Sequence, residues 1–191
     1  MDSLAPGFLI ASPPLGDPNF DRTVVLLALH NEDGALGFVV NRESNLNLGE
    51  LLDQAGYEGG HEDASPVWVG GPVQPRSGWV LSGDRRFHVD DDAIELGRDL
   101  QVSSSRTAFD RVAEAASSSD FTADRLLVML GYSGWAPQQL EQEISRGAWL
   151  PVPLDAELLF DVAPEHRWER AYALLGLNPT QVMSMRIGGD A

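Results

Sequence analysis

The chain has 191 residues, 43% of them hydrophobic, and a formal net charge of -16. That length suits one domain with a sizeable core, while the charge opposes binding to a phosphate backbone, which draws its affinity from Lys and Arg. Cysteine is absent and all thirteen basic residues are arginine, which excludes disulfides, thiolate nucleophiles, sulfur-ligated zinc, a P-loop lysine and a Schiff-base lysine.

Met1-Asp2-Ser3 is acidic where a secretory signal is basic, and the apolar residues 8–11 are too few for a signal core or a membrane span. A cytoplasmic location is expected. Residues 8–11 have the composition of a strand, and residues 23–29 and 36–40 are runs of Val and Leu too short for buried helices, so both read as interior strands. Asn31-Glu32-Asp33-Gly34 joins them, its Asp-Gly step supplying the positive φ of a tight reversal. Asn47 and Glu50 have capping-box spacing, and Leu48, Leu51, Leu52 and Ala55 share a helical face before the terminator Gly56. Residues 56–66 are glycine-rich and acidic, as an exposed loop is.

The middle third reads as short strands at residues 67–69, 79–81, 87–89, 94–96 and 100–102, with a bend at Gly70-Gly71-Pro72-Val73. A helix is expected over residues 106–116, where Phe109, Val112, Ala113 and Ala116 repeat behind a serine cap. Residues 126–130 read as a buried strand, 131–135 as a turn and 137–146 as a helix opened by proline. Residues 149–152 and 157–160 are candidate strands, and a last helix starts near Pro164, carries Trp168, Ala171, Tyr172 and Leu175 on one face, and stops at Gly176. There is no internal repeat or linker, so residues 1–191 are expected to form a single domain.

Gly7-Phe8-Leu9-Ile10-Ala11, Asp17-Pro18-Asn19-Phe20, His30-Asn31 with Gly34-Ala35-Leu36-Gly37, and Val40-Asn41-Arg42 form a series of distinctive words. Gly70-Gly71-Pro72-Val73, Leu130-Gly131-Tyr132-Ser133-Gly134-Trp135, Gln139-Leu140-Glu141 and Gly147-Ala148-Trp149-Leu150 continue it. In this order the words resemble the YqgE/AlgH family of bacterial proteins. The resemblance implies a compact α/β (α+β) domain with a mixed, bifurcated and partly barrel-like sheet surrounded by helices. It implies little about activity, since the family is largely uncharacterised and its regulatory label comes from a link to alginate production. Gly78-Trp79-Val80-Leu81-Ser82 departs from relatives that have Gly-Phe-Val-Leu-His here, so no role for an imidazole at this position carries over.

If the two interior strands form a hairpin, His30 and Asn31 lie at one end and Thr23 and Asn41 at the other, roughly 20 Å away. Asp17, Asn19, Arg22, Asn41 and Arg42 then converge at the second end, where an arginine can grip an anion and Asn41 can orient it. The competing assignment gives Asp17 and Asn19 to Asx turns, pairs Arg22 with a carboxylate, and has Asn41 end its strand by bonding backbone. Gly71, Tyr132, Ser133 and Trp135 are further candidates, either lining a pocket or packing.

A hydrolase using Ser133 is the alternative, because Asp155 or Asp161 and then His166 follow in order. Against it, Trp135 stands where a nucleophile elbow needs glycine. His88 with Asp90, Asp91 and Asp92, and His61 with Glu62 and Asp63, lack the spacing of metal sites and read as solvated turns. The expected function is therefore noncatalytic binding of a small molecule or a protein partner, with no cofactor or metal and no membrane or direct nucleic-acid contact. A transcriptional role rests on the family label alone.

Overall fold

The computed structural model describes residues 3–13, 17–58, 63–97 and 99–179. They form a mixed α/β fold, and among the described residues there are ten strands and five helices, the strands pairing antiparallel except for one parallel pair. Two compact units are distinguished, residues 1–41 with 133–191, and residues 42–132. No linker composition marks either crossing point in the sequence.

In the first unit, β1 (Gly7–Ala11), β2 (Val24–Asn31) and β3 (Gly34–Val39) form an antiparallel meander, and β10 (Trp149–Pro153) pairs with the free side of β1. Leu9, Ala11, Val25, Leu27 and Val39 pack with Trp135, Leu140 and Trp149 in one core. The alternating residues Phe8, Ile10, Val24, Leu26 and Phe38 are buried as well. Both faces of these strands are covered, which is why their sequence is continuously apolar.

Helix α3 (Gln139–Ser145) supplies a carboxylate to this core. Glu143 Oε2 accepts from the indole nitrogens of Trp135 at 2.9 Å and Trp149 at 2.8 Å, and the two rings meet edge to face with centroids 5.8 Å apart. Helix α5 (Pro164–Leu174) contributes Trp168 and Tyr172, and the Trp168 Nε1 and Tyr172 hydroxyl groups both donate to the Ala11 carbonyl. The buried guanidinium of Arg167 donates to the Val162 and Val40 carbonyls.

In the second unit the strand order is β4 (Glu43–Asn47), β5 (Pro66–Val69), β9 (Leu126–Trp135, of which residues 126–132 belong here), β6 (Val73–Ser82), β8 (Leu100–Ser103) and β7 (Ala93–Gly97). Helices α1 (Leu48–Gln54) and α2 (Arg106–Ala116) share a core, with Leu48, Leu52, Val112 and Ala113 packed against Val80, Leu126 and Val128. The capping box on α1 is complete, and Ser105 caps α2 through the Ala108 N–H.

Three local expectations are corrected, and one strand goes unread in the sequence. Residues 87–89 form no strand: Asp84 caps a single 3-10 turn (Arg85–Phe87), and Gln101 bonds both the N–H and the C=O of Val89. Residues 157–160 are helical, in α4 (Ala156–Phe160), because Asp155 caps the Glu157 N–H. Strand β4 is polar and gives no periodic signal; its pairing with β5 makes it a strand. The expected turn at 131–135 is the second half of β9. Gly131 allows this at φ 73, where an added Cβ would stand 2.4 Å from the Gly71 carbonyl oxygen. Of the acidic loop at 56–66, residues 59–62 lie outside the described residues, and with them the His61 and Glu62 candidates.

Replacing Glu143 by alanine leaves two indole N–H groups without their acceptor in a largely buried site, and should cost about 2 to 4 kcal/mol. The drop in the urea midpoint at constant slope measures it, and a shift below about 0.5 kcal/mol denies the carboxylate this role.

Candidate functional site

The strand-end cluster is built around one amide. Asn41 Oδ1 accepts from the Val24 N–H at 2.9 Å, and its Nδ2 donates to the Arg22 carbonyl, also at 2.9 Å. The backbone before β2 is further held by the Phe20 carbonyl, which accepts from the N–H and hydroxyl of Thr23. Asp17 Oδ1 accepts from the Asn19 N–H at 2.8 Å, an Asx turn. The Asp17 and Asn41 side chains thus bond the backbone, as the structural alternative for these two residues supposed.

Arg22 is different. Its φ of 51 lies in the left-handed region, where a side chain other than that of Gly, Asn or Asp costs on the order of 1 kcal/mol. The Asn41 and Thr23 bonds hold it there. Its guanidinium lies over the Trp168 ring, 5.5 Å from the centroid, and among the described residues it has no carboxylate partner. Arg22 and Trp168 line a cavity of about 530 Å³ whose walls also include Pro13, Asp21, Glu169 and Leu177. An arginine fork stacked on an indole can offer its edge N–H groups to an oxyanion, while Asp21 and Glu169 can accept from N–H or O–H groups.

The remaining candidates are placed elsewhere. Ser133 is 1% exposed and pairs with Gly37, and Trp135 pairs with Ala35 at the hairpin-turn end of β3, so neither lines the Arg22 cavity. With Ser133 inside a strand, the strand-turn-helix required of a nucleophile elbow is absent, and the exposed His166 lies on α5. In the second unit the Arg42 carbonyl accepts from the Val69 N–H, Gly71 packs against Gly131, and Tyr132 meets Trp79 edge to face with centroids 6.0 Å apart. Among the described residues no three His, Asp or Glu side chains are grouped to hold a metal ion. No helix among the described residues is long and apolar enough to cross a membrane.

The opposite end of the hairpin carries a buried imidazole. His30 Nδ1 accepts from the Leu4 N–H at 3.1 Å, which leaves Nε2–H to donate to Glu141 Oε1 at 3.1 Å. The Glu141 carboxyl is held below its ordinary value of 4.5 by its own backbone N–H first and by His30 second, with burial opposing both. The sequence signals for this pairing are weak, because His30 and Glu141 are far apart in the chain. Trp168 is also hard to assign from sequence: helical spacing marks it as core, and only the packing of α5 brings its ring under Arg22.

The AlgH-like family profile, DUF179, matches residues 8–180, and the chain belongs to that family. It is 43% identical to a UPF0301 protein of Anaeromyxobacter dehalogenans over 194 residues, covering 98% of this chain and 96% of that one. A UPF0301 protein of Xanthomonas campestris is 41% identical over 177 residues, with 92% and 90% covered. The solution structure of the AlgH protein from Pseudomonas aeruginosa superposes with a TM-score of 0.75 at 37% identity, covering 99% of this chain and 95% of that one. A Corynebacterium diphtheriae protein shares the fold at a TM-score of 0.63 and 21% identity, with 89% and 87% covered.

Two measurements probe these sites. Arg22→Gly should be more stable than Arg22→Ala by about 1 kcal/mol, since both lose the guanidinium and only alanine keeps the strain of a positive φ. Equal urea midpoints would mean that the backbone at Arg22 is unstrained. Because the Glu141 carboxyl is depressed in the folded state, it contributes stability above its unfolded value, and the contribution is lost as pH falls through the folded one. Glu141→Gln should flatten the acid limb of stability against pH, and an unchanged limb removes the pair from it.

Proposed function

We propose that the chain is a noncatalytic binding domain for a small molecule that carries a carboxylate or phosphate together with N–H or O–H groups. The observation that supports this most is Arg22, a strained residue held by the Asn41 amide, with its guanidinium stacked on Trp168 at the wall of a cavity. Strain in a sparsely populated backbone region points to a function, because the rest of the fold has to sustain its cost. The cavity volume of about 530 Å³ falls in the range of small-ligand sites. In a chain with net charge -16 and no lysine, an arginine with no ion pair among the described residues is an available anchor for an anion.

Arg22 fixes the anionic group through two parallel N–H donors, and the Trp168 ring backs the guanidinium so that little side-chain entropy is lost on binding. Asp21 and Glu169 repel a simple polyanion and accept from a ligand that also presents donors. The family membership is compatible with this reading and assigns no activity of its own.

A thermal-shift screen of acidic metabolites against wild type and Arg22→Gln tests it. A compound present at a hundred times its dissociation constant should raise the wild-type midpoint by about 5 to 10 °C. The expected result is at least one such compound with no shift in Arg22→Gln. A flat screen, or shifts that survive the substitution, would overturn the assignment.

A further inference from the structure

The second unit contains a groove unrelated to the Arg22 cavity. Strand β6 leaves the ladder between Val73, opposite Tyr132, and Gly78, opposite Leu130, so that residues 74–77 face Gly131 alone. Gln74 takes a φ of 46 at the start of this bulge. Bulges re-aim side chains that a regular ladder would alternate between faces, and this one brings Arg76 and Ser77 to the mouth of a cavity of about 440 Å³. The cavity is walled by Leu51 of α1 and its C-cap Ala55, Phe109 of α2 and Leu130 of β9.

Gly78 fits the same construction. A Cβ there would lie 2.6 Å from Cζ of Phe109, so glycine allows the phenyl ring to lie on the strand and form one wall. The rim has two guanidinium groups in different states. Arg106 lies over the Tyr57 ring at 4.9 Å and pairs with Asp110 at 3.0 Å, and Asp110 also accepts from the Tyr57 hydroxyl at 3.0 Å. Arg76 is exposed and has no ion pair among the described residues. A hydrocarbon-lined slot with one uncommitted positive charge at its mouth is complementary to an apolar tail ending in a single anion. It does not suit a polar metabolite, which would leave its donors unmatched against Leu51, Phe109 and Leu130.

We infer that this groove binds a straight-chain carboxylate, with the alkyl chain against Leu51, Ala55, Phe109 and Leu130 and the carboxylate on Arg76. Arg106, neutralised by Asp110 and braced by Tyr57, closes one side of the mouth. The anion therefore goes to Arg76, and the selectivity for a carboxylate over an uncharged head group resides in that residue.

Isothermal titration with octanoate and decanoate tests this on the full chain. Two added methylenes buried in the groove should tighten binding roughly tenfold from octanoate to decanoate. Ala55 is exposed at the end of α1, so Ala55→Trp can fill the groove without disturbing the core, and it should abolish decanoate binding at an unchanged thermal midpoint. Arg76→Gln should weaken decanoate at least fivefold and leave decan-1-ol unaffected. No saturable binding by wild type, decanoate bound equally by Ala55→Trp, or affinity indifferent to Arg76→Gln would each overturn the inference. The Arg22 cavity is tested by other residues and other compounds, so either site can fail alone.

Discussion

The first unit depends on a single amide. Asn41 follows β3, yet its side chain bonds the chain where β2 begins, accepting from the Val24 N–H and donating to the Arg22 carbonyl. An amide is the side chain suited to this, since it presents an acceptor and a donor side by side, as a neighbouring strand would. The last backbone groups of the meander are thereby satisfied where no strand continues, and the cost of holding Arg22 at positive φ is carried by the same contact. Those two hydrogen bonds help to hold the backbone of Arg22 at the wall of the cavity.

Arginine has three distinct uses in this acidic chain. Arg167 is buried and spends its donors on the Val162 and Val40 carbonyls, where a planar fork can reach two oxygens at once. Arg106 is stacked on Tyr57 and neutralised by Asp110. Arg22 and Arg76 have no ion pair among the described residues, and each is held at the edge of a cavity by an irregularity of the backbone, a left-handed residue in one case and a bulge in the other. Since guanidinium stays protonated at any physiological pH, these are permanent charges rather than switches.

Much of the candidate chemistry visible in the sequence turned out to be structural, for identifiable reasons. Polar residues next to glycine and proline attract functional readings, but the same residues are the ones that satisfy backbone groups where strands end. Asp17 and Asn41 do so here. A turn at residues 131–135 would present Ser133 as a nucleophile, whereas pairing of residues 133–135 with β3 buries it. Trp135 belongs with Trp149 around Glu143, a carboxylate whose role depends on two indoles meeting over one side of α3.

By itself, the sequence determined what depends on near neighbours: the hairpin, the capping box of α1 and the serine cap of α2, the amphipathic helices α1, α2 and α5, and the family, carried by short words in fixed order. Local hydrogen bonds and apolar periodicity encode these within a few residues. Tertiary structure decided what depends on distant partners. It made a strand of polar β4, extended β9 through Gly131, brought Trp168 beneath Arg22, and bulged β6 to present Arg76. Each of these is fixed by a register or a packing contact between segments far apart in the chain, and no local pattern of residues contains it.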